Sequence, residues 1–304
     1  MASFLYTACN AALHVIQIKR FLGKEGAAFG RMVRGFEKRQ TVRVPSQKLG
    51  KKFTYQIKMI GGRRCHSIAP KNGKAEKAVL LLFGGGYLIP PGRRDFLLAG
   101  EIAESAGAEV YLPEYPMAPQ YKLADTVKSV TEVYREMLRL FEPQKIVFMG
   151  SSSGGALCLT LCLYIRHEKL PIPLPGRLVM LSPGLQMPPS EAQTERMRGL
   201  EKKDTMLSIP FCKNIHRILV EEDSAYLLHP FDASWEGLPE MDAFFGGHEL
   251  FYAYIPDIEQ AAREGNAKVY IHIEENMMHC WPMLGFTKEG RKARSDICEI
   301  IRSV

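Results

Sequence analysis

Short apolar runs and amphipathic stretches alternate along most of this chain. The apolar runs predict strands over 78–83, 109–114, 145–149, 176–182, 243–247 and 268–274. The stretches between and after them have helical periodicity and predict helices over 92–106, 123–141, 156–166, 249–265 and 286–304. This order predicts an α/β fold with a mostly parallel central sheet covered by helices on both faces.

The first part of the chain has a different pattern. Residues 53–60 alternate between apolar and polar side chains, as a half-buried antiparallel strand does, and Gly61-Gly62 predicts a tight turn into a second strand. Residues 40–44 also predict a short strand, and residues 1–18 predict an amphipathic helix.

Residues 186–235 interrupt the alternation of strands and helices. They contain no clear strand pattern, and their clearest periodicity predicts a helix over 209–220. We interpret them as a cap inserted over the C-terminal edge of the sheet. The predicted organisation is therefore N-terminal cap helices over 1–40 and a core over 41–304 that carries the inserted cap.

Charge is unevenly distributed along the chain. The formal net charge is +7, yet residues 19–64 contain fourteen Lys or Arg and only two acids, Glu25 and Glu37. Such a segment can attract anionic substrates, lipid surfaces or nucleic acid. Because no nucleic-acid-binding signature accompanies it, we interpret it as a solvated surface and expect no nucleic-acid partner. We also expect the first helix to pack on its own domain rather than to contact a membrane.

Cysteine usage and motif content limit the other classes of function. The seven cysteines are scattered without a CxxC pair, which favours reduced thiols in a cytoplasmic protein over a disulfide framework or a zinc site. Residues 1–18 lack the basic start of a secretory signal. No Gly-x-Gly-x-x-Gly follows the first predicted parallel strand, so we expect no dinucleotide site.

The clearest chemical motif lies between the strand over 145–149 and the helix that follows it. Gly150-Ser-Ser152-Ser-Gly154 matches the pattern of a nucleophile elbow, in which a serine sits on a sharp turn with its hydroxyl exposed. The alternative is a serine-rich loop that caps a helix. The strand before it and the helix after it favour the elbow, with Ser152 as nucleophile.

A glycine triplet directly follows the strand over 78–83. Gly84, Gly85 and Gly86 expose backbone N–H groups with no side chains in the way, which suits the stabilisation of an oxyanion opposite Ser152. The N–H of Ser153, the residue after the nucleophile, would be another donor. The alternative is an ordinary flexible turn.

A serine nucleophile needs a base and a group that orients the base. His279 lies in a loop after the last predicted strand, where it can reach back over the sheet edge to the elbow. Glu249 follows the strand over 243–247 at the same edge, although it is also placed as a helix N-terminal acid. We predict Ser152, Glu249 and His279 as the catalytic set. The rival acids are Asp232, Asp242 and Asp257.

From residue 78 to the end, the chain resembles the hormone-sensitive-lipase-like carboxylesterases of the α/β-hydrolase fold. Phe83-Gly-Gly-Gly-Tyr87 resembles the family's His-Gly-Gly-Gly motif, and Gly150-Ser-Ser-Ser-Gly-Gly resembles its Gly-Asp-Ser-Ala-Gly-Gly elbow. Glu114-Tyr-Pro-Met-Ala-Pro resembles its Tyr-Arg-Leu-Ala-Pro stretch, and Met278-His-Cys-Trp resembles its histidine loop. The chain departs from the family at three positions. Phe83 replaces the histidine of the glycine motif, Ser151 replaces the aspartate of the elbow, and the predicted acid is Glu249 where the family more often has aspartate.

The resemblance implies a serine esterase that acts on short-chain carboxylic esters without a metal or cofactor. It implies the triad roles given above and an oxyanion hole formed by Gly85, Gly86 and Ser153. Tyr87, Met278 and Trp281 lie close in sequence to the predicted site residues, and we predict that they line the substrate pocket.

Two alternatives remain open at this level. The same scaffold could serve as a non-catalytic small-molecule binder or receptor, because fold does not fix function. An amide or carbamate hydrolase would use the same residues. An edge strand or the C-terminal helix could also form a homodimer, which the sequence does not decide.

Overall fold

A computed structural model describes residues 2–304 of the chain. Within them, the structure forms a single eight-stranded sheet in the order β1-β2-β4-β3-β5-β6-β7-β8. The strands are β1 (Phe53–Ile60), β2 (Arg63–Pro70), β3 (Lys77–Leu82), β4 (Ala108–Pro113), β5 (Ile146–Ser151), β6 (Arg177–Leu181), β7 (Glu240–Gly246) and β8 (Val269–Glu274). The β2 strand is antiparallel to both of its neighbours, and all other adjacent pairs are parallel.

Helices cover the sheet and also precede it in the chain. They are α1 (Phe4–Ile16), α2 (Ile18–Leu22), α3 (Gly26–Glu37), α4 (Ser46–Lys52), α5 (Arg93–Ala106), α6 (Leu123–Leu138), α7 (Ser153–His167), α8 (Glu191–Leu200), α9 (Ile209–Asn214), α10 (His216–Leu219), α11 (Ile255–Glu264) and α12 (Lys288–Ser303). Short 3-10 helices cover Pro143–Lys145, Glu222–Leu228, Pro230–Asp232, Leu250–Tyr254 and Trp281–Met283. Among residues 2–304, none of these helices is both long and apolar enough to cross a bilayer.

The central strands are those whose sequences are continuously apolar. Every residue of β5 is buried, as are five of the six residues of β3. Parallel strands covered on both faces favour such sequences, because neither face reaches water. The β1 strand keeps more exposed positions because it is the sheet edge. It turns into β2 through Gly61 and Gly62, both at positive φ, as the sequence predicts.

The predicted strand over residues 40–44 is wrong, because this stretch has no regular structure. It does not pair with the open side of β1, which forms this edge of the sheet. The Gln40 side chain is instead used in the tertiary structure, where its amide nitrogen donates to the carbonyls of Leu88 and Ala118.

The parallel strands place several loops at one edge of the sheet. The loops after β3, β5, β6, β7 and β8 all leave from the C-terminal strand ends, where open α/β sheets bind their ligands. The segment between β6 and β7 contains α8, α9 and α10 and contributes apolar side chains above this edge. From the N-terminal region, α2 and α3 approach the same space.

Candidate active site

Ser152 occupies a sharp turn between β5 and α7. Its backbone has φ 53° and ψ −119°, a strained conformation for a residue with a side chain. The flanking glycines make the turn sterically feasible: a Cβ atom on Gly154 would lie 2.1 Å from the Leu82 carbonyl oxygen, and one on Gly150 would lie 2.3 Å from the Gly154 carbonyl oxygen. The Ser152 side chain remains half-buried and faces a cavity.

His279 and Glu249 form a hydrogen-bonded chain with Ser152. The Nε2 atom of His279 lies 2.9 Å from Ser152 Oγ, and its Nδ1 atom lies 2.6 Å from Glu249 Oε2. The three residues follow β5, β7 and β8 and meet because these strands end at the same edge. The structure therefore brings together the three residues predicted from the sequence.

The carboxylate of Glu249 is fully buried and held by two further donors. The Gly246 N–H and the Ser182 hydroxyl both donate to Oε1, at 2.7 Å and 2.9 Å. Burial raises the pKa of Glu249, opposed by its hydrogen bonds to His279, Gly246 and Ser182. Burial lowers the pKa of His279, but the neighbouring Cys280 and Glu249 outweigh it and raise that pKa well above the ordinary value.

The three rival acids have other partners. Asp242 accepts from Arg177 Nε at 2.6 Å and lies 2.8 Å from His272 Nε2. Asp257 forms an ion pair with Arg196, and Asp232 is largely exposed. Of the four candidate acids, Glu249 is therefore the one whose carboxylate is hydrogen-bonded to His279.

Sequence reasoning missed two side chains that support the triad. Ser182 follows β6, donates to Glu249 and accepts the N–H of Cys280 at 2.9 Å, so it ties the acid to the histidine loop. The ring of Phe251 meets the His279 ring edge to face, with centroids 5.1 Å apart. Ser182 had a usable signal, because it is a polar residue directly after a strand that lies between those carrying Ser152 and Glu249.

The glycine loop lies beside the nucleophile. Gly85 and Gly86 adopt positive φ values of 124° and 62°, which favour glycine, and both line the cavity with Ser152 and Ser153. The N–H of Gly86 donates to the Ser153 hydroxyl at 3.0 Å. One of the predicted oxyanion donors therefore already has an acceptor in this structure.

Phe83, which stands where the family motif has histidine, supports this loop by packing. Its ring stacks on Tyr115 with centroids 4.0 Å apart and an interplanar angle of 2°. The Tyr115 hydroxyl donates to the Phe83 carbonyl at 2.6 Å. The stretch that resembles the family's Tyr-Arg-Leu-Ala-Pro segment therefore holds the strand end that precedes the glycines.

A cavity of about 610 Å³ lies above the triad, with walls that are mainly apolar. The N-terminal helices contribute Ile18, Phe21, Leu22 and Phe36, and the inserted segment contributes Met206, Leu207, Phe211, Ile215 and Leu219. The volume lies in the range of small-molecule sites.

The three predicted pocket residues have different positions. Tyr87 lines the cavity, and its hydroxyl donates to the Ser153 carbonyl at 3.0 Å. Met278 and Trp281 lie outside the cavity wall, so the prediction for these two is corrected. They pack in a separate cluster with Tyr6 of α1, because the loop directs His279 toward Ser152 and these two side chains away from it.

Comparison with known proteins identifies the class to which this structure belongs. Residues 79–283 match the family described as alpha/beta hydrolase fold. The chain belongs to this family, and the fold predicted from the sequence is confirmed.

Named relatives match over most of their length. The chain is 23% identical to an esterase of Acinetobacter venetianus over 76% of each chain, and 26% identical to esterase LipU of Mycobacterium tuberculosis over 79% of each chain. A solved esterase of the bacterial hormone-sensitive lipase family superposes with a TM-score of 0.79 at 21% identity, covering 100% of this chain and 99% of the other.

Proposed function

We propose that this protein is a serine hydrolase that cleaves short-chain carboxylic esters through an acyl-enzyme. One observation carries the proposal: an unbroken hydrogen-bonded chain from Ser152 through His279 to Glu249 at the base of an apolar cavity. The esterase names of the relatives agree with ester hydrolysis as the reaction.

Attack begins at the Ser152 hydroxyl. His279 Nε2 accepts the hydroxyl proton as Oγ bonds to the ester carbonyl carbon, and the carbonyl oxygen becomes negatively charged. The N–H groups of Gly85, Gly86 and Ser153 stabilise this oxyanion. The intermediate then collapses, the C–O bond to the alcohol breaks, and His279 returns the proton to the leaving alkoxide oxygen.

Water completes the cycle. His279 removes a proton from a water molecule, whose oxygen attacks the acyl carbon, and the acid leaves as Ser152 regains its proton. During both half-reactions the Glu249 carboxylate accepts a hydrogen bond from the Nδ1–H of His279 and stabilises the imidazolium. Its position is fixed by Gly246 and Ser182, so the imidazole is oriented before substrate arrives.

The cavity wall determines the substrate class. Apolar side chains from the N-terminal helices and from the inserted segment enclose the space beside Ser152, which favours an apolar acyl or alcohol group. The enclosure by these helices supports our proposal that the substrates are esters of short acyl chains.

The test is hydrolysis of p-nitrophenyl acetate, butyrate and octanoate by the parent protein and by Ser152→Ala. We expect turnover of the two shorter esters by the parent, a sharp decline at octanoate, and background rates for the variant. Turnover that survives in Ser152→Ala would exclude this nucleophile. A p-nitroanilide of butyrate included in the series separates ester from amide hydrolysis, and faster cleavage of the anilide would contradict the ester assignment.

A further inference from the structure

Helix α1 presents an uninterrupted apolar face to solvent. The exposed positions on this side, here called the apolar face, are Phe4, Leu5, Ala8, Ala11, Ala12, Val15 and Ile16. Phe4 is 85% exposed and Val15 is 82% exposed, and α1 contains no Lys, Arg, Asp or Glu. An exposed apolar surface of this continuity is unusual on a monomeric protein and indicates a binding surface.

The opposite side of α1 is anchored to the core. Tyr6 is buried, and its hydroxyl accepts the N–H of Met278 at 2.6 Å. Ser3 at the helix N-terminus donates its hydroxyl to Glu289 at 2.7 Å. The packing expected from the sequence therefore accounts for one side of the helix only. It also fixes the apolar face in an outward orientation.

Positive charge directly follows the apolar face in the chain. Residues 19–24, here called the basic segment, contain Lys19, Arg20 and Lys24 and no acid. Within residues 2–304, none of these three cations forms an ion pair, and Lys19 donates to the main-chain carbonyls of Glu201 and Asp204. Arg20 and Lys24, the first exposed cations after α1, are therefore free to attract an anionic partner.

Exposed apolar and cationic side chains also lie at the mouth of the cavity above Ser152. Phe21 of α2 and Ile89 of the glycine loop are 43% and 42% exposed, and both also line the cavity. Arg93 and Arg94, at the start of α5, are exposed and belong to the same rim. Apolar and cationic side chains thus combine around the entrance.

We propose that the apolar face and the basic segment dock on an anionic lipid surface, with the cavity mouth beside it. An interfacial helix inserts its apolar side chains at the boundary of the acyl chains, while nearby Lys and Arg meet anionic headgroups. A second copy of this chain is a poorer occupant, because two basic segments would then face one another and repel. The proposal concerns binding and holds whether or not the ester hydrolysis proposed above is correct.

The test is co-flotation of the full chain with vesicles of phosphatidylcholine alone and with vesicles containing phosphatidylglycerol. We expect binding to the anionic vesicles at low salt and at least about tenfold weaker binding to phosphatidylcholine alone or at high salt. Absence of binding to the anionic vesicles at low salt would overturn the proposal, and so would equal binding to both compositions.

Paired variants separate the apolar contribution from general surface effects. The double variant Phe4→Ser with Val15→Ser keeps the net charge and should bind about tenfold more weakly. Its control, Met59→Ser with Leu140→Ser, removes two exposed apolar side chains elsewhere and should bind like the parent. Equal loss in both pairs would refute a role for this face. Both pairs should retain the thermal unfolding transition of the parent.

A second pair tests the charge. Arg20→Glu with Lys24→Glu should lower binding to the anionic vesicles about tenfold, whereas Lys71→Glu with Lys74→Glu, with the same change in net charge, should not. Light scattering on the parent and on Phe4→Ser with Val15→Ser tests the alternative that a second copy of this chain covers the apolar face. A dimer that this variant dissociates, together with no flotation, would assign the apolar face to a second copy and overturn the lipid proposal.

Discussion

The hydrogen bond between Gly86 and Ser153 leads to a prediction in which a substitution raises activity. The Gly86 N–H is one of the proposed donors to the oxyanion, yet in the free protein it donates to the Ser153 hydroxyl at 3.0 Å. The developing oxyanion must displace this acceptor. Ser153→Ala removes the competing hydroxyl and leaves the Ser153 backbone N–H in place.

The size of the effect follows from the bond that is displaced. A neutral intramolecular hydrogen bond contributes about 0.5–1.5 kcal/mol net. Returning that free energy to the transition state corresponds to about a twofold to tenfold higher kcat/KM, since about 1.4 kcal/mol is tenfold in rate. The family motif has alanine at this position, so the smaller side chain suits this type of elbow.

The measurement is kcat and KM for p-nitrophenyl butyrate at a pH on the activity plateau. Most of the gain should appear in kcat, because the Gly86 N–H is needed most when the oxyanion forms. Ser151→Ala is the matched control: it removes a hydroxyl on the other side of the nucleophile, leaves the Gly86 bond intact, and should change kcat/KM less than about twofold.

A fall in kcat of more than about threefold in Ser153→Ala, with unchanged stability, would refute the reasoning. It would mean that the hydroxyl rotates and donates to the oxyanion, as side-chain donors do in other oxyanion holes. Unchanged kinetics would mean that the Gly86 N–H contributes little to the transition state.

Three further outcomes are expected. Glu249→Gln should lower kcat about a thousandfold with little change in KM, because an amide does not stabilise the imidazolium of His279; a loss below tenfold would argue against the acid assignment. The neighbours of His279 raise its pKa, and the base must be neutral to accept a proton. The ascending limb of kcat/KM in a pH–rate profile should therefore have its midpoint above pH 6.5. A midpoint below pH 6.5 would contradict this. Gly154→Ala should abolish the folded protein, since its Cβ would lie 2.1 Å from the Leu82 carbonyl oxygen; a normal thermal transition by circular dichroism would show that the elbow can relax.

The sequence by itself determined the parts of the molecule that depend on local pattern. Continuous apolar runs identified the central strands that end at the active-site edge, because a strand buried on both faces tolerates little else. The elbow glycines were identifiable because the turn around Ser152 has no room for side chains. Glu249 and His279 could be selected because they directly follow strands of one parallel sheet, whose C-terminal ends share an edge.

Only the tertiary structure decided which side chains face the cavity. Met278 and Trp281 are close to His279 in sequence, yet they pack against α1, because a loop of irregular backbone points consecutive side chains in unrelated directions. Ser182 and Phe251 support the triad through contacts between separate strand ends.

In the N-terminal region, too, only the tertiary structure decided which side chains are covered. Periodicity predicted an amphipathic helix, but which face of α1 would be covered depended on the position of the histidine loop, a segment more than two hundred residues away in sequence. The stretch over 40–44 has strand-like residues but pairs with no strand of the sheet, so strand propensity did not decide its structure. Local sequence specifies what an element can be, and its packing partners determine what it contacts.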